Sequence, residues 1–375
     1  MITIKHHSQC CGCGACADLC PDKCISMIAD REGFLNAKVD ATKCIECGMC
    51  ERVCPMTDSA DNKYKASKAY AAWSKSDDIH TTSTSGGAAY EMGRLTLNNG
   101  GVVYGCSGVD PYHVRHLRID NVTDLSATQG SKYVQSSTVG IFRQLRKDVA
   151  TGRLVLFVGT PCQAAAVRNL FGKRTPENLL IVDIICHGVP SQKMLNRQLD
   201  AIARKKHLTS IESISFRKSG NPKFCFVITG FQRNELVKVE QPAIKNPYYK
   251  SFLFGLNYRE SCYQCKYATG SRVGDITIGD FWGFKSAEEL PFRQQEGLSL
   301  ILPNTTKGVM MFDEITNEMS VLERSFQEAV DGNTQLRHPV KKSWRVKIFR
   351  LLSLFMPESI TSKAVFIDYK LRIRK

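Results

Sequence analysis

Eight cysteines near the amino terminus fall into two copies of one spacing. The first copy is Cys10-x2-Cys13-x2-Cys16-x3-Cys20-Pro21, and the second is Cys44-x2-Cys47-x2-Cys50-x3-Cys54-Pro55. Three closely spaced thiolates wrap one corner of an iron–sulfur cubane, and the fourth ligand comes from elsewhere. In paired runs of this kind the fourth cysteine of each ligates the other cluster. Cys10, Cys13, Cys16 and Cys54 are therefore assigned to one [4Fe–4S] cluster, and Cys44, Cys47, Cys50 and Cys20 to a second. The chemistry of such clusters is the uptake and release of single electrons. Gly12, Gly14 and Gly48 fall between ligands, where the backbone must turn tightly. Structural zinc takes four ligands, usually as separated pairs, and leaves a repeat of four cysteines and a proline unexplained. Cys11 and Cys24 lie outside the register and read as spare thiols.

Six more cysteines come later in the chain: Cys106, Cys162, Cys186, Cys225, Cys262 and Cys265. Cys162 and Cys186 each come just after a short apolar run, in a Gly/Pro turn that leads into a helical pattern. Open α/β sheets bind ligands at that carboxyl edge, and neighbouring strands are about 5 Å apart. Cys262-x2-Cys265 offers two further thiols on a turn. Together the four make a complete ligand set for a third cluster. Buried core cysteines, a zinc half-site and a catalytic dithiol remain alternatives at this point. Cys106 and Cys225 sit inside apolar strand patterns and read as core thiols.

The elements that must hold these residues can be read in outline. Leu154–Val158 and Leu179–Ile185 are short buried strands, each followed by a turn and a helix. Ser191 caps a helix that runs through His207. The repeated strand–turn–helix pattern predicts parallel strands in an α/β sheet. Gly101–Cys106 reads as another strand, and Ile211–Phe216, Phe224–Phe231 and Glu235–Val239 as a β-rich portion. Asp275–Phe281 and Leu298–Leu302 come next, the latter as the last clear strand. The fold class is α+β or α/β, with a small bacterial-ferredoxin module ahead of a larger mixed α/β domain. The expected divisions are a cluster module over 1–56, a polar linker over 57–68, a main domain over 69–305, and a helical extension with a basic tail over 306–375.

A chain of 375 residues with 43% apolar content has room for the module and one large core. The start, MITIKHHSQC, has no apolar run of the secretory kind, and sixteen cysteines then point to a reducing cytoplasm with thiols as metal ligands. The formal charge of +15 counts cysteines as neutral, and bound clusters offset part of it. The basic surface that remains fits an acidic redox partner or an anionic membrane, and no nucleic-acid recognition motif accompanies it. From Val340 onward, Lys341, Lys342, Arg345, Lys347 and Arg350 alternate with Trp344, Val346, Ile348, Phe349 and Leu351. The expectation is a terminal helix docked on the domain. Peripheral membrane contact is the competing reading.

Several motifs now stand in order: Gly130-Ser131-Lys132-Tyr133-Val134-Gln135-Ser136, the GTPCQ of 159–163, the CHGVPS of 186–191, Tyr258-Arg259-x-x-Cys262-x-x-Cys265-Lys266-Tyr267-Ala268, and the GDITIGDFWG of 274–283. As a set they resemble the coenzyme F420 hydrogenase/dehydrogenase β-subunit family, over residues 1 to about 305. The resemblance implies FAD in the main domain and a third cluster on Cys162, Cys186, Cys262 and Cys265. It also implies reduction of a substrate at the flavin. Members act on coenzyme F420, on chlorophyll precursors, or within bacterial polysaccharide synthesis, so the family name does not fix the acceptor.

For the flavin, the Thr82–Gly87 run ahead of the helical stretch 88–97 offers Ser85, Gly86 and Gly87 as a phosphate cradle; a plain helix cap is the alternative. Lys132 is a candidate counter-charge and Asp280 a candidate ribityl or amide partner. His187, next to a predicted ligand, is a candidate proton donor, with hydrogen bonding to a cluster sulfur as its plainer role. Trp282 is a candidate to pack against a cofactor ring, with core packing as its plainer role. The expected activity is that of an iron–sulfur flavoprotein oxidoreductase. It draws on a ferredoxin or other low-potential donor and delivers to a small organic acceptor, F420-like or a biosynthetic intermediate. The alternative is a non-catalytic electron-transfer subunit of a larger hydrogenase or dehydrogenase complex.

Overall fold

The computed structural model describes residues 2–57, 63–172, 174–218, 223–285, 290, 297–353, 355–356, 360–361 and 365. The two cysteine runs fold alike. In each, the third cysteine rides on a short helix: α1 (Ala15–Leu19) after the first turn and α2 (Met49–Val53) after the second. Both helices begin at a left-handed glycine, Gly14 at φ 74° and Gly48 at φ 70°. Between them lies an antiparallel hairpin of β1 (Ile25–Ala29) and β2 (Leu35–Val39).

Residues 58–62 of the expected linker lie outside the described residues. The stretch from Lys63 to Ser67 is not a free tether. Tyr64 exchanges both backbone hydrogen bonds with Arg272, at 2.7 and 2.6 Å, and a strand starts already at Lys68.

The main domain continues with β3 (Lys68–Ser74), α3 (Asp77–Thr82), α4 (Ala88–Asn98), β4 (Val102–Ser107), β5 (Arg115–Ile119) and α5 (Ile141–Ala150). Then come β6 (Val155–Gly159), α6 (Pro161–Phe171), β7 (Leu179–Ile184) and α7 (Gln192–Lys206). A separate antiparallel sheet of β8 (Ser210–Arg217), β9 (Phe224–Gln232) and β10 (Glu235–Pro242) precedes α8 (Pro247–Leu253). Next come β11 (Ile276–Asp280), β12 (Ser299–Pro303), α9 (Thr306–Ile315), β13 (Met319–Ser325), α10 (Phe326–Gly332) and α11 (Trp344–Ser353).

The large sheet has eight strands in the order β13-β3-β12-β11-β7-β6-β4-β5. Its centre, β4, β6, β7 and β11, is parallel, and antiparallel strands close both edges. The sheet is therefore mixed. It also runs past residue 305, because β13 pairs along the whole of β3, and Leu298–Leu302 is not the last strand. The alternating Met319–Ser325 segment is half-buried and carries charges, so it lacks the apolar run that marks a central strand.

Central strands β6 and β7 are buried on both faces, which explains their continuous apolar sequence. Each turn at their carboxyl ends has local reasons to form. Pro161 sits in the first turn of α6, where its missing N–H costs nothing, and the Gln163 side chain accepts from the Thr160 N–H at 3.0 Å. Ser191 accepts from the Met194 N–H at 3.3 Å and starts α7, and His207 ends it in the left-handed region.

The module packs directly on this domain. One apolar cluster runs from Cys13, Cys16 and Val53 through Val155 and Phe157 to Ile181. Arg259, 2% exposed, donates to the Cys10 carbonyl at 2.8 Å, the Leu35 carbonyl at 2.7 Å and Asn36 Oδ1 at 2.6 Å. Among the described residues, no helix is long and apolar enough to cross a membrane.

Candidate iron–sulfur centre and adjoining cavity

β6 and β7 are parallel neighbours, so the turns that carry Cys162 and Cys186 lie side by side. The Cys262–Cys265 turn closes over them. All four cysteines line one cavity, with Cys11, Met56, Thr160, His187 and Tyr267. All four thiol pKa values are pushed up. For Cys186, Cys262 and Cys265 burial is the main cause, and other thiols of the set add to it. For Cys162 the contact with Cys11 comes first and burial second. Cys262 reaches about 12. Crowded, buried thiols resist ionisation until a cation is bound, and bound iron reverses that balance. Among the described residues, no three His, Cys, Asp or Glu side chains are close enough to chelate a single metal ion.

The covering turn is fixed by buried charge. Arg272, 1% exposed in its side chain, donates to Asp183 at 3.1 Å and to the Tyr267 carbonyl at 2.9 Å. Asp183, in β7, also accepts from the Val273 and Gly274 N–H groups and the Thr277 hydroxyl. One carboxylate thus ties the 262–268 turn to the strand that ends before Cys186. A second buried pair, Arg168–Asp275 at 3.1 Å, fastens α6 to the same segment.

The cysteines of the module lie toward two ends of it. Cys16 sits among Cys10, Cys54 and Cys50, and burial raises its pKa to about 12. Cys54 lies within electrostatic reach of Cys10. Cys20, Cys44, Cys47 and Cys50 line a separate small pocket at the other end. Cys24 touches Cys20 at 3.3 Å between sulfurs.

Cys11 is not a spare thiol in position. It is 7% exposed, it lines the cavity of the domain set, and its thiol interacts with Cys13 of the first run and with Cys162. Its backbone carbonyl accepts from Gln135 Nε2 at 2.9 Å. Nothing in the local spacing marks this role, because it depends on how the module docks.

A second, larger cavity of about 730 Å³ adjoins the first. The two share Ser136, Thr160, Gln163, Cys186, His187, Gly188 and Val189 as a common wall. That wall is braced by a polar chain. Gln163 donates to the Ser136 carbonyl and hydroxyl at 3.3 Å. The Ser136 hydroxyl meets His116 Nδ1 at 2.8 Å, and His116 Nε2 meets the Val158 carbonyl at 3.1 Å. The carbonyl fixes Nε2 as the protonated nitrogen and leaves Nδ1 to accept. Burial lowers the His116 pKa to about 4.

The flavin candidates line this cavity with one exception. Ser85 is on the wall, and its Oγ is buried without a partner. Gly87 is the left-handed N-cap of α4 at φ 88°. Gly86 instead presses on β3, where an added Cβ would stand 2.0 Å from the Ala72 carbonyl oxygen; its need for glycine is close backbone approach. Lys132 lines the cavity, but its ammonium already donates to the carbonyls of Cys106, Thr128 and Gln129 at 3.0, 2.8 and 2.6 Å. Its pKa falls through burial. Asp280 is held by Arg217 at 2.6 and 3.0 Å, and Arg217 also donates to the Tyr133 hydroxyl and the Thr84 carbonyl. Sequence reasoning missed Arg217, which no motif flags.

His187 has surface open to the cavities while protein surrounds it on most sides, and that desolvation lowers its pKa against the opposing pull of Asp280. Trp282 is 41% exposed and stacks on Phe224 at 5.8 Å on the cavity rim, not in the core. Cys106 likewise reaches the cavity, whereas Cys225 is 1% exposed in the core of β9.

The donor set and the cavity fit the groups the sequence points to. Four thiols line one cavity, as a four-iron cluster would need, and an orphaned hydroxyl beside a helix start suits a phosphate. Comparison with known proteins agrees on the broad class. Residues 152–328 match the family model for the C terminus of the coenzyme F420 hydrogenase/dehydrogenase beta subunit, and residues 9–57 match a 4Fe-4S dicluster domain. The first match extends beyond residue 305 and takes in β13. Among solved structures, the chain is similar to one from the F420-reducing [NiFe] hydrogenase complex of Methanosarcina barkeri. The likeness has 16% identity and a TM-score of 0.43, and covers 74% of this chain and 93% of that one. No curated protein matches.

Proposed function

We propose that this chain, whose residues 152–328 belong to the coenzyme F420 hydrogenase/dehydrogenase beta-subunit family and whose residues 9–57 are a 4Fe-4S dicluster domain, is an iron–sulfur flavoprotein oxidoreductase. Its domains make it an electron-transfer iron–sulfur protein related to those beta subunits. The finer reading is that it passes electrons between a ferredoxin-like donor and a small organic acceptor. One observation carries it: the cavity lined by Cys162, Cys186, Cys262 and Cys265 shares a wall with the larger cavity and touches the first cysteine run through Cys11. Clusters carry single electrons and a flavin exchanges one or two, so the two together connect a one-electron supply to hydride chemistry.

The chain's own residues supply the rest. Cys162, Cys186, Cys262 and Cys265 hold the third cluster. Ser85 Oγ and the amides beginning α4 receive the cofactor phosphate. Arg217 fixes Asp280 and Tyr133 as one rigid wall, and Trp282 with Phe224 offers an apolar rim to a planar ring. His187, open to both cavities, is placed to give a proton to an acceptor bound beside it.

Anaerobic purification with iron, sulfide and flavin quantitation tests this. About twelve irons per chain, with one FAD, is the expected result. About eight irons and no flavin leaves a dicluster module on an inert domain and contradicts it.

A further inference from the structure

Helix α11 is docked, yet its outer face is apolar. On the inner face, Val346 and Phe349 are 1% exposed, and Arg350 bonds to Glu260 and to the Tyr258 carbonyl. A docked helix ordinarily turns polar residues to water. Here the outward residues are Trp344 at 60% exposed, Ile348 at 40% and Leu351 at 61%, continued past the helix by Phe355 at 81%. Their spacing of four, three and four residues makes one row along the surface. At 100° per residue, Arg345 and Lys347 fall on opposite borders of that row, and Lys341 and Lys342 precede it. Residues 340–353 contain no Asp or Glu.

We propose that this face seats the protein on an anionic lipid bilayer, with α11 lying in the plane of the interface. Trp344, Ile348, Leu351 and Phe355 enter the boundary between headgroups and acyl chains, where tryptophan is favoured. Arg345 and Lys347, held at the row's two edges, reach the anionic headgroups. The positive charge that remains once bound clusters offset part of the formal +15 draws the chain toward such a surface from a distance. An exposed apolar row with Arg345 and Lys347 on its two borders matches a lipid surface in both chemistry and sign. The helix is docked through one face and exposes the other among the described residues, so lipid contact needs no unfolding. This inference is independent of what occupies the cavities.

Sedimentation of the full-length, anaerobically purified protein with lipid vesicles tests it. Vesicles of phosphatidylcholine with roughly one third phosphatidylglycerol should retain the protein at least tenfold better than phosphatidylcholine alone, and rising salt should weaken retention. Trp344→Ser with Leu351→Gln should abolish retention while iron content and elution volume stay as in the wild type. Arg345→Glu with Lys347→Glu should lower it by roughly tenfold or more. Absence of binding to either vesicle, or binding unchanged in both double variants, overturns the proposal. So does a concentration-dependent dimer that Leu351→Gln abolishes, which makes the row a contact between copies of the chain.

Discussion

The two cysteine runs share a spacing and a local geometry, but their surroundings differ. Both turn at a left-handed glycine into a five-residue helix. The first run is buried against the domain: Arg259 holds the Cys10 carbonyl, Gln135 the Cys11 and Gly12 carbonyls, and Thr138 the Cys13 carbonyl. The second run faces outward only in its first half, since Cys50 and Cys54 are buried. Cys44 is half-buried, Cys47 is exposed, and Ile45 between them is 64% exposed. One motif therefore makes two different ends. The end against the domain touches the third cysteine set through Cys11, and the outward end is where a soluble donor can approach. Burial and contact, not ligand spacing, give the pair a direction.

The largest effect should come from breaking the domain side. Asp183→Asn leaves Arg272 buried without its counter-charge, at a cost of about 3 to 5 kcal/mol. Thermal unfolding should fall accordingly, with about four irons lost from the domain and the module's own irons retained. Next is Arg259→Ala, which strips four acceptors of a buried guanidinium at a cost of about 3 kcal/mol. Denaturation should then separate the module from the domain into two transitions, where the wild type shows one.

Acid should act on the domain first. His116 is neutral in the fold because its pKa is lowered to about 4, while the unfolded side chain protonates near 6.5. Its contribution is complete above pH 6.5 and is lost as pH falls toward 4, amounting to about 2 kcal/mol between pH 7 and pH 5. His116→Gln, which can still accept and donate, should flatten stability measured across that window.

The outward end is sharpened by Ile45→Glu. Reduction by an external ferredoxin, followed by stopped flow, should slow by roughly tenfold while iron content is unchanged. Equal rates would show that the donor docks elsewhere. The smallest effect belongs to Cys11→Ser. Loss of the Cys11 thiol, which interacts with both Cys13 and Cys162, should move the potential of an adjoining cluster by tens of millivolts, on the order expected for bonds to ligand sulfur.

Much of this site is legible in the sequence because its signals are local. The cysteine registers, the buried runs of β6 and β7, and the Pro161 and Ser191 helix starts are each set by residues within a few positions. The turns bearing Cys162 and Cys186 are neighbours because consecutive parallel strands pair. The remaining features rest on contacts distant in sequence. Cys11 meets Cys162, Arg259 meets Cys10, and Arg217 meets Asp280 only after the module, the small sheet and the large sheet have packed together. β13 is hidden for a different reason: an edge strand carrying Glu323 and Arg324 has no need of an apolar run. Trp282 and Gly86 show residue type misleading in opposite ways, since an aromatic lies on a rim and a glycine serves packing instead of a ligand.

The most direct test of the third cysteine set is quantitative electron paramagnetic resonance of fully reduced protein, wild type against Cys186→Ser. About three cluster spins per chain in the wild type and about two in the variant is the predicted result. About two spins in both would mean that the domain thiols hold no cluster and that electrons stop in the amino-terminal module.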